Sequence, residues 1–226
     1  MEKIDAKRKF VNKQQTELRK VLTSFDQHQK ALELFFRQHA MLHSAKMVQM
    51  DLWSFEDAIL DDMTEDQIRR IPQNTEHSVA WCIWHIARIE DVAMNMIVAG
   101  TPQIFAQGDW SNKMGVTFQD AGNDMTLDEM QILSTSIDID TLRSYRTDVG
   151  RRTRQIVQDL HPEDLKKRVD SECIQWVMEE GALADASRGI ADYWSKRNIA
   201  GLLLMPASRH QIVHLNEALK LKKRRQ

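Results

Sequence analysis

Cysteine, proline and glycine are all scarce in this sequence, and each scarcity excludes a class of protein. Two cysteines among 226 residues cannot build a disulfide framework, and free thiols are typical of a reducing compartment. Four prolines and eight glycines are too few for the many turns of a β sandwich. The longest apolar stretch, Val79–Trp84, is far too short to cross a bilayer. We therefore expect a helical protein with no membrane partner.

Charge is distributed unevenly along the chain. Residues 1–40 carry nine Lys or Arg against five Asp or Glu, and the last seven residues carry five basic side chains and no acidic one. Residues 41–219 are left with a net charge of −11. Because an acidic body repels phosphate, nucleic acid is not expected as the main partner. No apolar run follows the basic N-terminal residues, so we expect no secretory signal and a cytoplasmic location.

Apolar residues at three-, four- and seven-residue spacing predict an amphipathic helix near the N-terminus. The first of them include Val11, Leu18 and Leu22. We interpret residues 1–40 as an N-terminal helical extension. Its apolar face either covers the rest of the same chain, which predicts a monomer, or pairs with a second copy in a homodimer.

Residues 41–226 are predicted to form an antiparallel four-helix bundle, which makes the protein all-α. One helix is apolar around most of its circumference and is expected to end near Ala99, before Gly100. Asp140 is predicted to cap another bundle helix, and a last helix runs over about residues 190–221 with a kink or break at Pro206. The connection over residues 100–139 is unusually long and predicts a functional crossover loop, in which Trp110 and Phe118 cover a pocket.

Three histidines on these helices form the strongest candidate site. His210 and His214 are four residues apart, so a helix places both imidazoles on one face, where they suit a single metal ion. His85 lies on the apolar helix and completes a set of three. Such a set leaves coordination positions open for water or substrate, as a catalytic metal requires. A bundle without metal, with two surface histidines and one buried one, is the alternative interpretation.

Neighbouring residues extend this candidate site. Cys82 shares a helical face with His85 and is either a fourth ligand or a small buried side chain. Glu217 follows His214 by three residues and is predicted to hold a ligand's second nitrogen, to act as a base, or to be solvated. Arg88 is expected to receive an anionic substrate group or to pair with a nearby carboxylate. A further pair, His39 and His43, is expected to line the pocket mouth, bind a second ion, or play a structural role.

Two sequence blocks carry a resemblance to a known family. Trp84–Asp91 (WHIARIED) followed by Met205–Glu217 (MPASRHQIVHLNE) resembles the DinB-like superfamily, and the resemblance extends over about residues 45–220. That superfamily consists of four-helix bundles and includes bacillithiol and mycothiol S-transferases and putative metal-dependent hydrolases. The resemblance implies that His85, His210 and His214 bind a divalent transition metal, with nickel or zinc the first expectation.

Two functions follow from this resemblance. In the first, a divalent ion on the three histidines activates a thiol or water for transfer to a small molecule, or for its hydrolysis. The partner is then a small-molecule substrate together with a low-molecular-weight thiol. In the second, the ion only stabilises a stress-response or ligand-binding bundle. No motif for a protein nucleophile is present, so any catalysis is assigned to the metal.

Overall fold

A computed structural model describes residues 2–224 of the chain, so the last two residues of the predicted basic end lie outside the described part. Throughout this range the chain is helical and contains no strand, and a single isolated antiparallel bridge joins Arg168 and Asn198. The all-α fold class is thereby confirmed. No helix within residues 2–224 combines the length and the apolar character that crossing a bilayer requires.

The helices have the following bounds in chain order: α1 (Glu2–Val21), α2 (His28–Leu42), α3 (Phe55–Leu60), α4 (Glu65–Arg69), α5 (Val79–Asp91), α6 (Ile104–Gln107), α7 (Trp110–Met114), α8 (Leu127–Ser136), α9 (Ile139–Gln158), α10 (Ser171–Glu179), α11 (Arg188–Ser195), α12 (Ile199–Leu204) and α13 (His210–Lys223). Two π-helical segments interrupt this order. Val92–Ala99 extends α5, and Met205–Arg209 joins α12 to α13. Single 3-10 turns occur at Phe25–Gln27, Asp164–Lys166 and Asp185–Ser187.

Helix α5 forms the centre of the molecule. It packs against α9 on one side and α13 on the other, and every one of its residues is buried. Four of those buried residues are polar or charged: His85, Arg88, Glu90 and Asp91. Because a buried polar group is costly unless it is paired, the partners of these four side chains determine what each end of the core can do.

The predicted helix ends are only partly correct. The helical run that starts at Val79 does stop at Ala99, where Gly100 adopts a left-handed conformation with φ of 62°. The cap of α9 is Asp138 rather than Asp140, because the Asp138 side chain accepts a hydrogen bond from the Thr141 amide. The single helix expected over residues 190–221 is divided into α11, α12 and α13, and Pro206 lies in the π-helical segment between the last two.

The connection over residues 100–139 is not an open loop, because it contains α6, α7 and α8. Two buried side chains of α5 anchor it. The Asp91 carboxylate accepts hydrogen bonds from the Ile104 and Phe105 amides, at 3.0 and 2.9 Å, and Arg88 donates to the Gln119 carbonyl at 2.7 Å. The connection is therefore fixed to the C-terminal end of α5, two turns or less beyond His85.

The N-terminal helices are closely attached to the rest of the chain. Helix α1 packs along α2 and touches α12, and its residues Val11, Leu18 and Leu22 are buried. Helix α2 also contacts α3, α9 and α13. The boundary predicted at residue 40 lies inside α2, because that helix continues to Leu42.

Candidate metal centre

His85, His210 and His214 meet at one point between α5 and α13. One ring nitrogen from each lies within 4.8 Å of the other two. The imidazole centroids are 4.6 to 5.0 Å apart, with the rings nearly perpendicular to one another. The spacing of four residues along α13 and the burial of α5 bring the three rings together.

Hydrogen bonds fix which nitrogen two of the rings present to the centre. His85 Nδ1 lies 2.6 Å from the Ala121 carbonyl and donates to it, so Nε2 carries a lone pair. His214 Nδ1 lies 2.8 Å from Glu217 Oε2 and donates to that carboxylate. Such a bond on the far nitrogen is how proteins orient a metal-binding imidazole.

The donor set fits a divalent ion. His85 Nε2 and His210 Nε2 are 3.2 Å apart, close to the separation of two nitrogens that each bind one ion at about 2.0–2.1 Å. His210 Nδ1 is buried and has no hydrogen-bond partner in the described residues. The protein therefore satisfies this atom neither as a donor nor as an acceptor. Burial lowers the pKa of His85 to about 3 and that of His210 well below its ordinary value, so both rings are neutral ligands.

Glu217 connects this centre to a further histidine, His77. Glu217 Oε1 lies 2.6 Å from His77 Nδ1, while Oε2 accepts from His214. Burial alone raises the pKa of Glu217, but the hydrogen bonds from His214 and His77 outweigh burial and lower it to about 2. The His77 ring stacks on Trp81 at 3.7 Å, and Trp81 stacks on His85 at 4.5 Å. Sequence reasoning missed His77, although its spacing of four and eight residues before Trp81 and His85 was visible.

A cavity of about 180 Å³ lies directly beside His210. Its walls are mainly apolar and come from α5, the 100–139 connection, α11 and the π-helical segment before α13: Ile89, Asn123, Gly189, Ile190, Tyr193, Trp194, Met205, Pro206 and His210. Tyr193 and Met205 also line a wider groove of about 760 Å³, which Arg19, Arg197 and Arg209 border. Among residues 2–224, no carboxylate lines either space.

Comparison with known families assigns the chain to a superfamily. The family model described as the DinB superfamily matches residues 53–218, well over half of the chain. The chain belongs to the DinB superfamily. All three histidines lie within the matched range, whereas α1 and α2 precede it. No curated protein matches the sequence.

Cys82 lies beside the centre of this DinB-superfamily chain but on the side of Glu217. Its sulfur and the ligand atoms of His214 and Glu217 lie within 4.8 Å of one another, in a group that shares only His214 with the three histidines. Burial, and then the charge of Glu217, raise the pKa of the Cys82 thiol well above its ordinary value. The thiol is therefore protonated at neutral pH, the form that ligates metals poorly.

Two other predicted site residues lie away from the cavity. Arg88 is fully buried and donates to Gln103, Tyr145 and the Gln119 carbonyl, so its guanidinium holds the connection in place. His43 is also fully buried and contacts Glu90.

The predicted lid aromatics are also away from the cavity. Trp110 packs against Tyr145 with ring centroids 5.4 Å apart, and Phe118 packs against the main core. The connection instead supplies the Ala121 carbonyl and Asn123 to the site.

Proposed function

We propose that this protein is a metal-dependent enzyme of the DinB type, in which a divalent transition ion on His85, His210 and His214 activates a thiol or water toward a small molecule. The observation that carries the proposal is the position of the cavity. An apolar space opens beside His210, so a second molecule has room next to the open positions of the three-histidine set. Membership of the DinB superfamily supports the same assignment.

His85, His210 and His214 would hold the ion through imidazole nitrogens that bring no negative charge, and the bound ion would lower the pKa of a thiol or water and so supply a nucleophile at neutral pH. The protein contributes orientation. Ala121 and Glu217 fix the rings of His85 and His214, and both oxygens of Glu217 are occupied by histidine N–H groups. With a pKa of about 2, Glu217 is a poor proton acceptor, so we assign it a positioning role rather than that of a general base.

The surroundings of the cavity favour thiol transfer over hydrolysis. Tyr193, Trp194 and Met205 line a mainly apolar space that suits an apolar, electrophilic substrate. Arg19, Arg197 and Arg209 border the adjoining groove, an environment that attracts an anionic group. A low-molecular-weight thiol that carries carboxylates suits the groove, while the electrophile occupies the cavity. The thiols of Cys82 and Cys173 support a reducing, cytoplasmic location.

The first experiment measures metal content. The untagged chain is purified without chelator, and its metals are quantified by mass spectrometry beside a His85→Ala/His210→Ala variant. The variant is expected to lose about one ion per chain, because a single remaining imidazole binds weakly. His161→Ala is the matched control, since His161 is exposed and distant in sequence from every candidate ligand. Nickel and zinc are both added back to each protein.

The second experiment measures turnover. Low-molecular-weight thiols are tested against apolar electrophiles, with esters and amides as hydrolysis substrates. We expect thiol consumption that requires the metal and disappears in the double variant. Equal metal content in the two proteins would contradict the metal centre. Bound metal without turnover of any substrate would contradict the enzyme and favour a stress-response or ligand-binding bundle.

A further inference from the structure

A second group of metal-ligand side chains lies inside the bundle, away from the cavity. His39 lies in α2, His43 directly follows the last residue of that helix, and Glu90 comes from α5; all three are fully buried. His39 Nε2 is 2.7 Å from Glu90 Oε1, and His43 Nε2 is 3.0 Å from Glu90 Oε2. One ligand atom from each residue lies within 4.8 Å of the other two, a spacing that allows a common ion.

Hydrogen bonding among protein groups satisfies this cluster only in part: His39 Nε2 is hydrogen bonded to Glu90 Oε1, but other ring nitrogens have no partner. His43 Nε2 is near Glu90 but has no hydrogen bond of acceptable geometry, and His43 Nδ1 and His39 Nδ1 have no partner within the described residues. Three buried ring nitrogens without partners are unusual, because each such group costs free energy on burial. The unpartnered Nε2 of His43 faces the Glu90 carboxylate, which is where a cation would lie.

The buried carboxylate of Glu90 also favours a bound cation. Each of the two buried arginines nearby has its own carboxylate: Arg146 pairs with Glu56 at 2.7 Å, and Arg88 pairs with Asp91 at 3.7 Å. Neither arginine is paired with Glu90 within the described residues, and a buried carboxylate is normally paired or bound to a metal.

We propose that His39, His43 and Glu90 form a second metal site, which binds a divalent first-row transition ion through two imidazole nitrogens and the Glu90 carboxylate. Zinc suits this set of ligands in a closed, four-coordinate arrangement. None of the three residues lines the cavity beside His210 or the wider groove that adjoins it, so we assign the proposed site a structural role. The ion clamps α2, which precedes the family-matched residues 53–218, to the central helix α5. Gln211 donates to Glu90 Oε2 at 2.6 Å and orients the carboxylate.

The test uses the full-length chain with His85→Ala/His210→Ala, so that the first centre is removed. This variant is loaded with zinc, freed of excess ion by gel filtration and analysed by mass spectrometry. We expect about one zinc per chain to remain. X-ray absorption of the retained zinc is expected to show nitrogen and oxygen ligands and no sulfur near about 2.3 Å. A sulfur signal would assign the ion to Cys82, His214 and Glu217 and overturn the proposal.

Two further substitutions in the same background locate the ion. Glu90→Gln keeps a hydrogen-bonding side chain but removes the charged ligand, and it is expected to reduce zinc to trace amounts. Glu217→Gln, the matched control, is expected to leave zinc unchanged. His43→Asn replaces Glu90→Gln if the latter does not fold. Trace zinc in the folded double variant, judged by a helical circular dichroism spectrum, would show that the cluster is a metal-free network. Because this test excludes the first centre, its outcome is independent of the proposed enzymatic function.

Discussion

The two histidine clusters are built on the same plan but differ in what surrounds them. Each combines a pair of histidines four residues apart, within α13 or at the end of α2, with a single residue of α5. At the cavity the α5 residue is His85, and the pair on α13 is only partly buried. Between α2 and α5 the third residue is Glu90, and the whole cluster is inaccessible to solvent. An i, i+4 histidine pair therefore predicts proximity, whereas the third partner and solvent access decide whether a site can react.

The largest difference between the clusters is expected in folding stability. Glu90→Ala removes a fully buried carboxylate and leaves its partners unpaired, so we expect a loss of about 3–5 kcal/mol in the free energy of unfolding. Glu217→Ala removes a carboxylate that is 32% exposed and accepts from two histidines, and its cost is expected to be smaller, about 1–3 kcal/mol in metal-free protein. Denaturant unfolding of the two metal-free variants checks this contrast. Equal losses would show that Glu90 is not a buried structural anchor.

For metal affinity at the three histidines beside the cavity, we expect Glu217 to matter more than Glu90. Glu217→Gln removes the carboxylate that orients His214 and His77, and we expect zinc or nickel at the three histidines to bind about 10–100-fold more weakly. Titration against a chelator of known affinity measures this change. His161→Gln serves as the control. An unchanged affinity would exclude Glu217 as a positioning residue.

Two glycines test how tightly each cluster is packed. A Cβ on Gly150 in α9 would lie 2.8 Å from His43 Nδ1, whereas a Cβ on Gly189 in α11 would meet no atom within 4 Å. We expect Gly150→Ala to cost about 1–3 kcal/mol through overpacking. Gly189→Ala is expected to be neutral or stabilising by up to about 1 kcal/mol, because alanine favours helix. Thermal or denaturant unfolding measures the stability of both variants. A stabilising Gly150→Ala would mean that the buried cluster of His39, His43 and Glu90 has free space beside it.

The smallest expected effect is confined to substrate binding. Gly189→Leu places a larger side chain at the wall of the cavity without a clash at its Cβ. Once a substrate is found, we expect a several-fold rise in its KM with unchanged metal content, because the lost volume excludes the apolar group rather than the ion. Steady-state kinetics with Gly189→Ala as the reference checks this. A loss of metal instead would show that α11 supports the metal centre itself.

Several features of the fold could be predicted from single segments of sequence. The apolar circumference of the Val79–Ala99 run identified the central helix, and Gly100 marked its end, because both are local properties of the backbone and of burial. The exact cap of α9 was missed, since Asp138 and Asp140 are both good capping residues and only the completed helix selects one. Likewise, the break between Ser195 and Ile199 depends on the cap that Asn198 forms with Gly201.

The sequence by itself determined the helical class and the family to which the chain belongs. It also determined that His210 lies beside His214, and His39 beside His43, because each pair is four residues apart. These follow from periodicity and from motifs, which need no knowledge of distant contacts. The tertiary structure alone decided that Arg88 anchors a connection, that Ala121 and His77 adjoin the candidate metal centre, and that His43 faces Glu90. Each of these contacts joins residues from different elements, and side chains that look equivalent along a helix become different when one faces a cavity and another faces a buried charge.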